Sequence, residues 1–184
     1  VAPGNGGTAL IARNLDIPAK DIKGLADAAL THGVNLAIVG PEDPLALGIV
    51  DVFESLGIPT FGPSKSAARL EASKLFAKEL MQKCGVPCAR GEAFTSAEEA
   101  KNYAVSQLLP IVIKADGLAA GKGVTVARTH EEAFAAIDRA LVQRVFGEAG
   151  DRVLVEEFLS GTEVSLLCFS DISSEPVLPW ASCT

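Results

Sequence analysis

The clearest chemistry in the chain lies between Ile111 and Val126, IVIKADGLAAGKGVTV, where two lysines stand among three glycines. Lys114 closes an apolar, β-type run, and Lys122 sits at the tip of a loop that also holds Gly117, Gly121 and Gly123. Glycine lets backbone N–H groups turn toward a ligand without obstruction from a Cβ, and lysine adds a positive charge, so together they can clamp phosphate. The same composition also suits a plain solvated hairpin turn. The segment is not a P-loop: Lys122 is followed by Gly123 rather than Ser or Thr, and the loop joins two strands instead of opening a helix. A dinucleotide fingerprint fails for the same reason.

Two further groups of residues could carry chemistry. Glu156, Glu157, Phe158 and Leu159 end the apolar run Val153-Leu154-Val155, and Glu163 follows after a short turn. Carboxylates there can accept hydrogen bonds from ribose hydroxyls, and the adjacent main chain offers an N–H and C=O edge suited to adenine. A solvated strand end is the alternative. Gly40, Pro41 and Glu42 follow the apolar run 36–39, at the carboxyl end of an expected parallel strand, where open α/β sheets bind ligands. They could equally just open the next helix, since Glu is favourable in a first turn.

The elements that must position these residues fall into two patterns. Val1 to Thr8 read as a strand end entering a glycine-rich turn. Helical spacing of Ile22, Leu25, Ala26, Ala29 and Leu30, closed by Gly33, predicts a helix over 21–32. A buried strand is expected at 36–39, then a helix capped by Asp43, opened by Pro44 and ended by Gly57, then a short strand at 58–61. Alternation of this kind implies a parallel sheet with helices on its faces. From Ser64 to Cys84 the chain is mainly helical, with a break near Ser73. Thr95 with Glu98, and Thr129 with Glu132, match capping boxes and predict helices near 96–107 and 130–144. Strands are expected at 111–114, 124–127, 152–158 and 163–169, an α+β pattern with antiparallel pairing.

Taken in order, VAPGNGGT, IVGPEDPL, TFGPSKSAARLEASK, KADGLAAGKGV and EEFLSGTEVS resemble the phosphoribosylamine-glycine ligase family of ATP-grasp enzymes, from Val1 to about Pro179. The resemblance implies an α/β chain: a partial doubly wound parallel-sheet N-terminal domain at 1–65, then an incomplete α+β ATP-grasp domain at 66–184. It implies that Lys74 and Lys114 contact phosphate or the adenine side of ATP, and that Gly121, Lys122 and Gly123 belong to a loop closing over the phosphates. Glu156, Glu157, Phe158 and Leu159 would meet adenine, and Glu163 the ribose. Without the family, Lys74 reads as an exposed helix lysine making a surface contact. Gly40, Pro41 and Glu42, with Gly4 and Asn5 nearby, would hold the ribose of 5-phosphoribosylamine.

The implied reaction activates glycine with ATP as a glycyl phosphate, which the amine of 5-phosphoribosylamine then attacks. Lysines and Mg2+ (or Mn2+) would neutralise charge on the transferred phosphoryl group. No residue of this chain is assigned as catalytic, and the metal ligands are expected beyond Thr184. The family pattern also has a strand and a Gly-Gly-Arg-Glu loop ahead of Val1, and residues 180–184 leave it, so ligation by this chain alone is not expected. Other readings are a different ATP-grasp carboxylate-amine ligase, or a nucleotide-binding fragment without catalysis.

Composition narrows the remaining classes. Net charge is −7, with neither sign gathered into a block, which argues against a nucleic-acid surface. No run approaches the roughly 18 apolar residues of a membrane span, and no signal peptide opens the sequence, so no membrane role and a cytoplasmic location are expected. Cys84 and Cys88 form a C-x3-C pair with no second pair beside it, which does not make a zinc site.

Overall fold

The computed structural model describes residues 1–165, and the structural statements below concern these. Val1 to Thr8 form no strand; the segment coils into a single 3-10 turn at Thr8–Leu10. Asn5 organises it, its side-chain oxygen accepting the N–H groups of Gly7 and Thr8 at 2.8 and 3.0 Å.

The first helix, α1 (Ile22–Thr31), begins where Asp21 accepts the Gly24 N–H and ends just before Gly33, as its spacing predicts. Strands β1 (Ala37–Ile38) and β2 (Thr60–Phe61) pair in parallel, Ala37 opposite Thr60. Helices α1 and α3 cover one face, where Ala26, Ala29, Val50, Phe53 and Ile58 are buried. The other face is open, so the expected buried strand at 36–39 is only half covered: Leu36 is 60% exposed and Ile38 73%.

The helix expected from Asp43 to Gly57 is two helices, α2 (Glu42–Leu47) and α3 (Ile49–Ser55). The break is Gly48, whose φ of +93° lies in the left-handed region that glycine enters without strain. The first of the two is capped by Pro41 rather than Asp43, and Asp43 forms an ion pair with Lys20 instead.

Two serines punctuate the next stretch. Ser64 caps α4 (Lys65–Ala72) and Ser73 caps α5 (Lys74–Lys83), each accepting an N–H from three residues on. The extended backbone of Ser73 is the expected break, and it turns α5 toward the second sheet.

That sheet contains β3 (Gly91–Phe94), β4 (Ile111–Ala115), β5 (Val124–Ala127) and β6 (Val153–Glu157) in the order β3-β6-β4-β5, every neighbouring pair antiparallel. Helices α6 (Ala97–Ser106) and α7 (His130–Ile137) pack on one face. Ile111, Ile113, Val153 and Val155 point into that core with Ala100, Ala104, Ala133 and Ile137. Alternation along a strand sends Lys114 and Glu156 to the opposite face.

Three expectations need correction here. The cap of α6 is Ser96, not Thr95, because Ser96 accepts the Glu99 N–H. The helix expected over 130–144 is α-helical only to Ile137 and continues as a π turn at Asp138–Val142. Residues 163–165 are not in a strand, and the rest of the run expected at 163–169 lies outside the described residues. No helix among the described residues is long and apolar enough to cross a membrane.

Candidate nucleotide site

Strand parity and one helix face bring three lysines together. Lys114 on β4 and Glu156 on β6 lie on the sheet face away from α6 and α7, at diagonal positions, since Val112 is the residue directly opposite Glu156. Helix α5 presents Lys74 and Lys78, four residues apart and so on one side of the helix. A cleft of about 450 Å³ opens between these elements, lined by Lys74, Lys78, Lys114 and Glu156 together with Cys88 and Leu159.

Glu156 is the centre of charge in this cleft. Its Oε1 accepts from Lys78 at 2.8 Å and its Oε2 from Lys114 at 2.6 Å. Burial pushes the Glu156 carboxyl up, but the hydrogen bonds and charges of Lys114 and Lys78 outweigh that and hold it below the ordinary carboxylate range. Lys78 also donates to the Ala89 carbonyl and is 4% exposed, whereas the Lys114 side chain is 32% exposed toward the cleft. One lysine is locked and the other has room to move.

Lys74 has no carboxylate oxygen against its amino group. Its Nζ donates to the carbonyls of Asp116 and Gly117 at 3.3 and 2.9 Å. Burial pushes its pKa down, the charges of Asp116 and Glu71 pull it back up, and Lys114 adds to the lowering. The net result is a lysine whose charge is less stable than in water.

The glycine-rich loop is anchored at its first residues. Asp116 accepts from the Ser73 hydroxyl at 3.0 Å and the Leu75 N–H at 2.8 Å, and pairs with Arg152 at 2.9 Å. It thereby ties the loop base to the N-terminus of α5, where a carboxylate is favoured by the helix dipole. Gly117 donates to the Ala149 carbonyl and runs so close to that residue that a Cβ on it would sit 2.7 Å from the Ala149 Cα. Beyond this anchor, Ala120, Gly121 and Lys122 are exposed, while Gly123 is buried at the start of the returning strand.

The other residues singled out from the sequence are placed as follows. Glu157 accepts from the Arg90 Nε, a second guanidinium N–H and its main-chain N–H at 3.0, 2.7 and 2.8 Å, which holds its carboxyl below the usual range. Phe158, Leu159 and Glu163 are exposed. Gly40, Pro41 and Glu42 are exposed where β1 leads into α2. Gly4 and Asn5 belong to the N-terminal coil, packed against Asn14. The polar contacts of Asn5 thus fall within its own coil, on residues 7, 8, 9 and 14.

Sequence reading missed Lys78, Asp116, Ser73 as a partner of Asp116, and Arg152. The signal for Lys78 was present, since it stands one helical turn after Lys74. Nothing in the local sequence marks Asp116 as an acceptor for the first turn of a helix that begins 42 residues earlier, at Lys74.

Comparison with known proteins identifies the family of the chain. The sequence model for the N domain of phosphoribosylglycinamide synthetase matches residues 1–71, and the model for its ATP-grasp (A) domain matches residues 72–182. The chain belongs to the phosphoribosylglycinamide synthetase family. The two matches meet between residues 71 and 72, in the last turn of α4. The phosphoribosylamine–glycine ligase of a Nostoc species is 52% identical over 180 residues, which cover 96% of this chain and 42% of that protein. The ligase of Ralstonia nicotianae is 53% identical over 171 residues, covering 93% of this chain and 40% of that protein. The crystal structure of phosphoribosylamine–glycine ligase from Thermotoga maritima superposes with a TM-score of 0.68 at 32% identity, over 87% of this chain and 37% of that one. An ATP-analogue complex of Campylobacter jejuni biotin carboxylase gives a TM-score of 0.65 at 25% identity, over 77% of this chain and 32% of that one. The chain therefore spans about two-fifths of the length of the curated relatives it matches.

Proposed function

We propose that this chain forms the nucleotide-facing part of an ATP-dependent ligase that joins glycine to 5-phosphoribosylamine. In that reaction the whole enzyme converts glycine to an acyl phosphate at the expense of ATP, and the amine of 5-phosphoribosylamine displaces phosphate to give glycinamide ribonucleotide. The observation that carries the reading is the cleft that Lys74, Lys78 and Lys114 line together with Glu71 and Glu156, between α5 and the strand that leads into the glycine-rich loop. Three ammonium groups against the carboxylates of Glu71 and Glu156 leave the cleft with a net positive charge, which suits a polyphosphate.

Each residue then has a task. Lys74, desolvated and held by neutral carbonyls, gains most from an anion. Lys114 can leave Glu156 for a phosphate oxygen. Gly121, Lys122 and Gly123 form the loop that closes over the phosphates and excludes water from the reacting anhydride. Glu156 to Leu159 lie along the base, and Glu163 meets the ribose. Gly40, Pro41 and Glu42, with Gly4 and Asn5, receive the ribose of the amine substrate. Residues 1–65 act as the substrate-binding domain and 66–184 as the nucleotide-binding one. The reaction also calls for Mg2+ or Mn2+ to screen the phosphates. Among the described residues no three Asp, Glu, His or Cys side chains gather as a metal site. The setting would be the cytoplasm.

Calorimetric titration of the chain with ATP and Mg2+, beside a Lys114→Ala, Lys122→Ala double variant, tests the reading. Binding that the variant weakens at least about tenfold supports it, since each lost charge-assisted contact to phosphate amounts to roughly 1.5–3 kcal/mol. A folded chain that binds ATP no better than its double variant would refute the clamp.

A further inference from the structure

The proposed reaction gives no task to Lys78, although it is the most buried charged residue among those described. A lysine at 4% exposure is retained only when its charge is matched, and here the match is double: the Glu156 Oε1 at 2.8 Å and the Ala89 carbonyl. Both acceptors are fixed, one on a central strand and the other on the segment leading into β3. Lys78 therefore sets the rotation of the Glu156 carboxylate as well as its charge. With Oε1 held by the buried Lys78, the other oxygen, Oε2, is paired with the partly exposed Lys114.

We propose that Lys78 is a positioning residue for base selection: it keeps Glu156 ionised and oriented so that Oε2, once Lys114 moves to the phosphates, accepts a hydrogen bond from the 6-amino group of a purine. The inference rests on the nucleotide reading above and deepens it. The exchange keeps charge in balance. Before binding, Glu156 is shared by two ammonium groups. After Lys114 leaves, Lys78 alone still neutralises the carboxylate, so the acceptor facing the cleft is not left as an unpaired buried charge. A 6-amino purine offers an N–H donor to that oxygen. A 6-oxo purine offers a carbonyl, and two acceptors facing each other in a desolvated cleft repel, so ATP is admitted over GTP.

The test measures the ratio of GTP to ATP dissociation constants by calorimetry for the 184-residue chain and its variants, each checked for folding by circular dichroism. The wild type favours ATP. Lys78→Met reduces that preference by about tenfold or more, mainly through weaker ATP binding, because the released carboxylate rotates or takes up a proton. Lys78→Arg, which keeps a donor and a charge, restores part of the preference. Lys114→Met weakens both nucleotides to a similar degree and leaves the ratio in place. Should Lys78→Met fail to fold, Glu156→Gln serves instead, since an amide can present either a donor or an acceptor and must also narrow the preference. An unchanged ratio in a folded Lys78→Met chain, or equal weakening of both nucleotides, overturns the inference and leaves the nucleotide reading standing. A folded wild-type chain that binds neither nucleotide removes the nucleotide reading and this inference with it.

Discussion

The two sheets of the molecule bury their residues to very different extents. In the four-stranded sheet, Ile111, Val153 and Val155 are fully buried, and α6 and α7 seal one face while α5 crosses the other. In the two-stranded sheet, only the face under α1 and α3 is covered, and Ile38 on the other side is 73% exposed. The difference shows where a precise site can be held. Side chains that must keep a charge geometry to within a few tenths of an ångström need neighbours that cannot shift, and close-packed strands supply them. Lys114 and Glu156 stand on such a frame, and Lys78 reaches them from α5. Gly40 to Glu42 stand at the end of a strand packed on one side only.

Substitutions can break this comparison, the largest effect coming from the buried ion pair. Lys78→Met leaves Glu156 with Lys114 as its one remaining cation and should cost about 3–5 kcal/mol in denaturant unfolding of the second sheet. A Lys78→Met, Glu156→Leu double variant should recover most of that loss, because no buried charge is then left unmatched. Ile137→Ala, at a residue with no exposure, should cost about 2–5 kcal/mol in the same transition. Ile38→Ala, its counterpart on the open sheet face, should change stability by no more than about 0.5 kcal/mol. Equal effects of the two alanine substitutions would mean that the open face is covered after all.

Smaller effects sharpen the comparison. Gly117→Ala forces a methyl against Ala149 and should cost about 1–3 kcal/mol by overpacking, with weaker ATP binding because the loop base shifts. Acid sensitivity provides a further test. The Glu156 pKa is lower in the folded chain than in the unfolded one, so its stabilising contribution is fully present above the ordinary carboxylate value, about 4.3. It is lost as pH falls through the depressed folded value. Glu156→Gln should therefore flatten the acid limb of the stability profile, read from urea midpoints between about pH 5 and 2. Lys74 acts in the opposite sense. Its folded pKa lies below its unfolded one, so removing its charge should raise stability at neutral pH by a small amount while weakening phosphate binding.

Local signals were legible in the sequence wherever a residue acts on its immediate neighbours. Thr129 caps the helix its capping box announces, the chain breaks at Ser73 as expected, and β5 spans the expected 124–127. What could not be read locally depends on partners far along the chain. Gly48 looks like one more small residue in an amphipathic run until its left-handed backbone is seen. Gly91–Phe94 has no strong strand composition, and it becomes a strand because β6 offers it an antiparallel edge. The burial of Lys78 is set by Glu156, 78 residues away, and lysine by type reads as a surface residue. Lys74 and Lys114 were thus visible from the sequence, whereas Lys78 and the pairing of Lys78 and Lys114 with Glu156 were not.

Amide hydrogen exchange of the chain with and without ATP and Mg2+ tests the central claim most directly. If the cleft between α5 and the second sheet is the nucleotide site, protection should rise at 74–78, 114–123 and 156–159, while 36–61 stays unchanged. Protection confined to the two-stranded sheet, or none anywhere at saturating ATP, would contradict it.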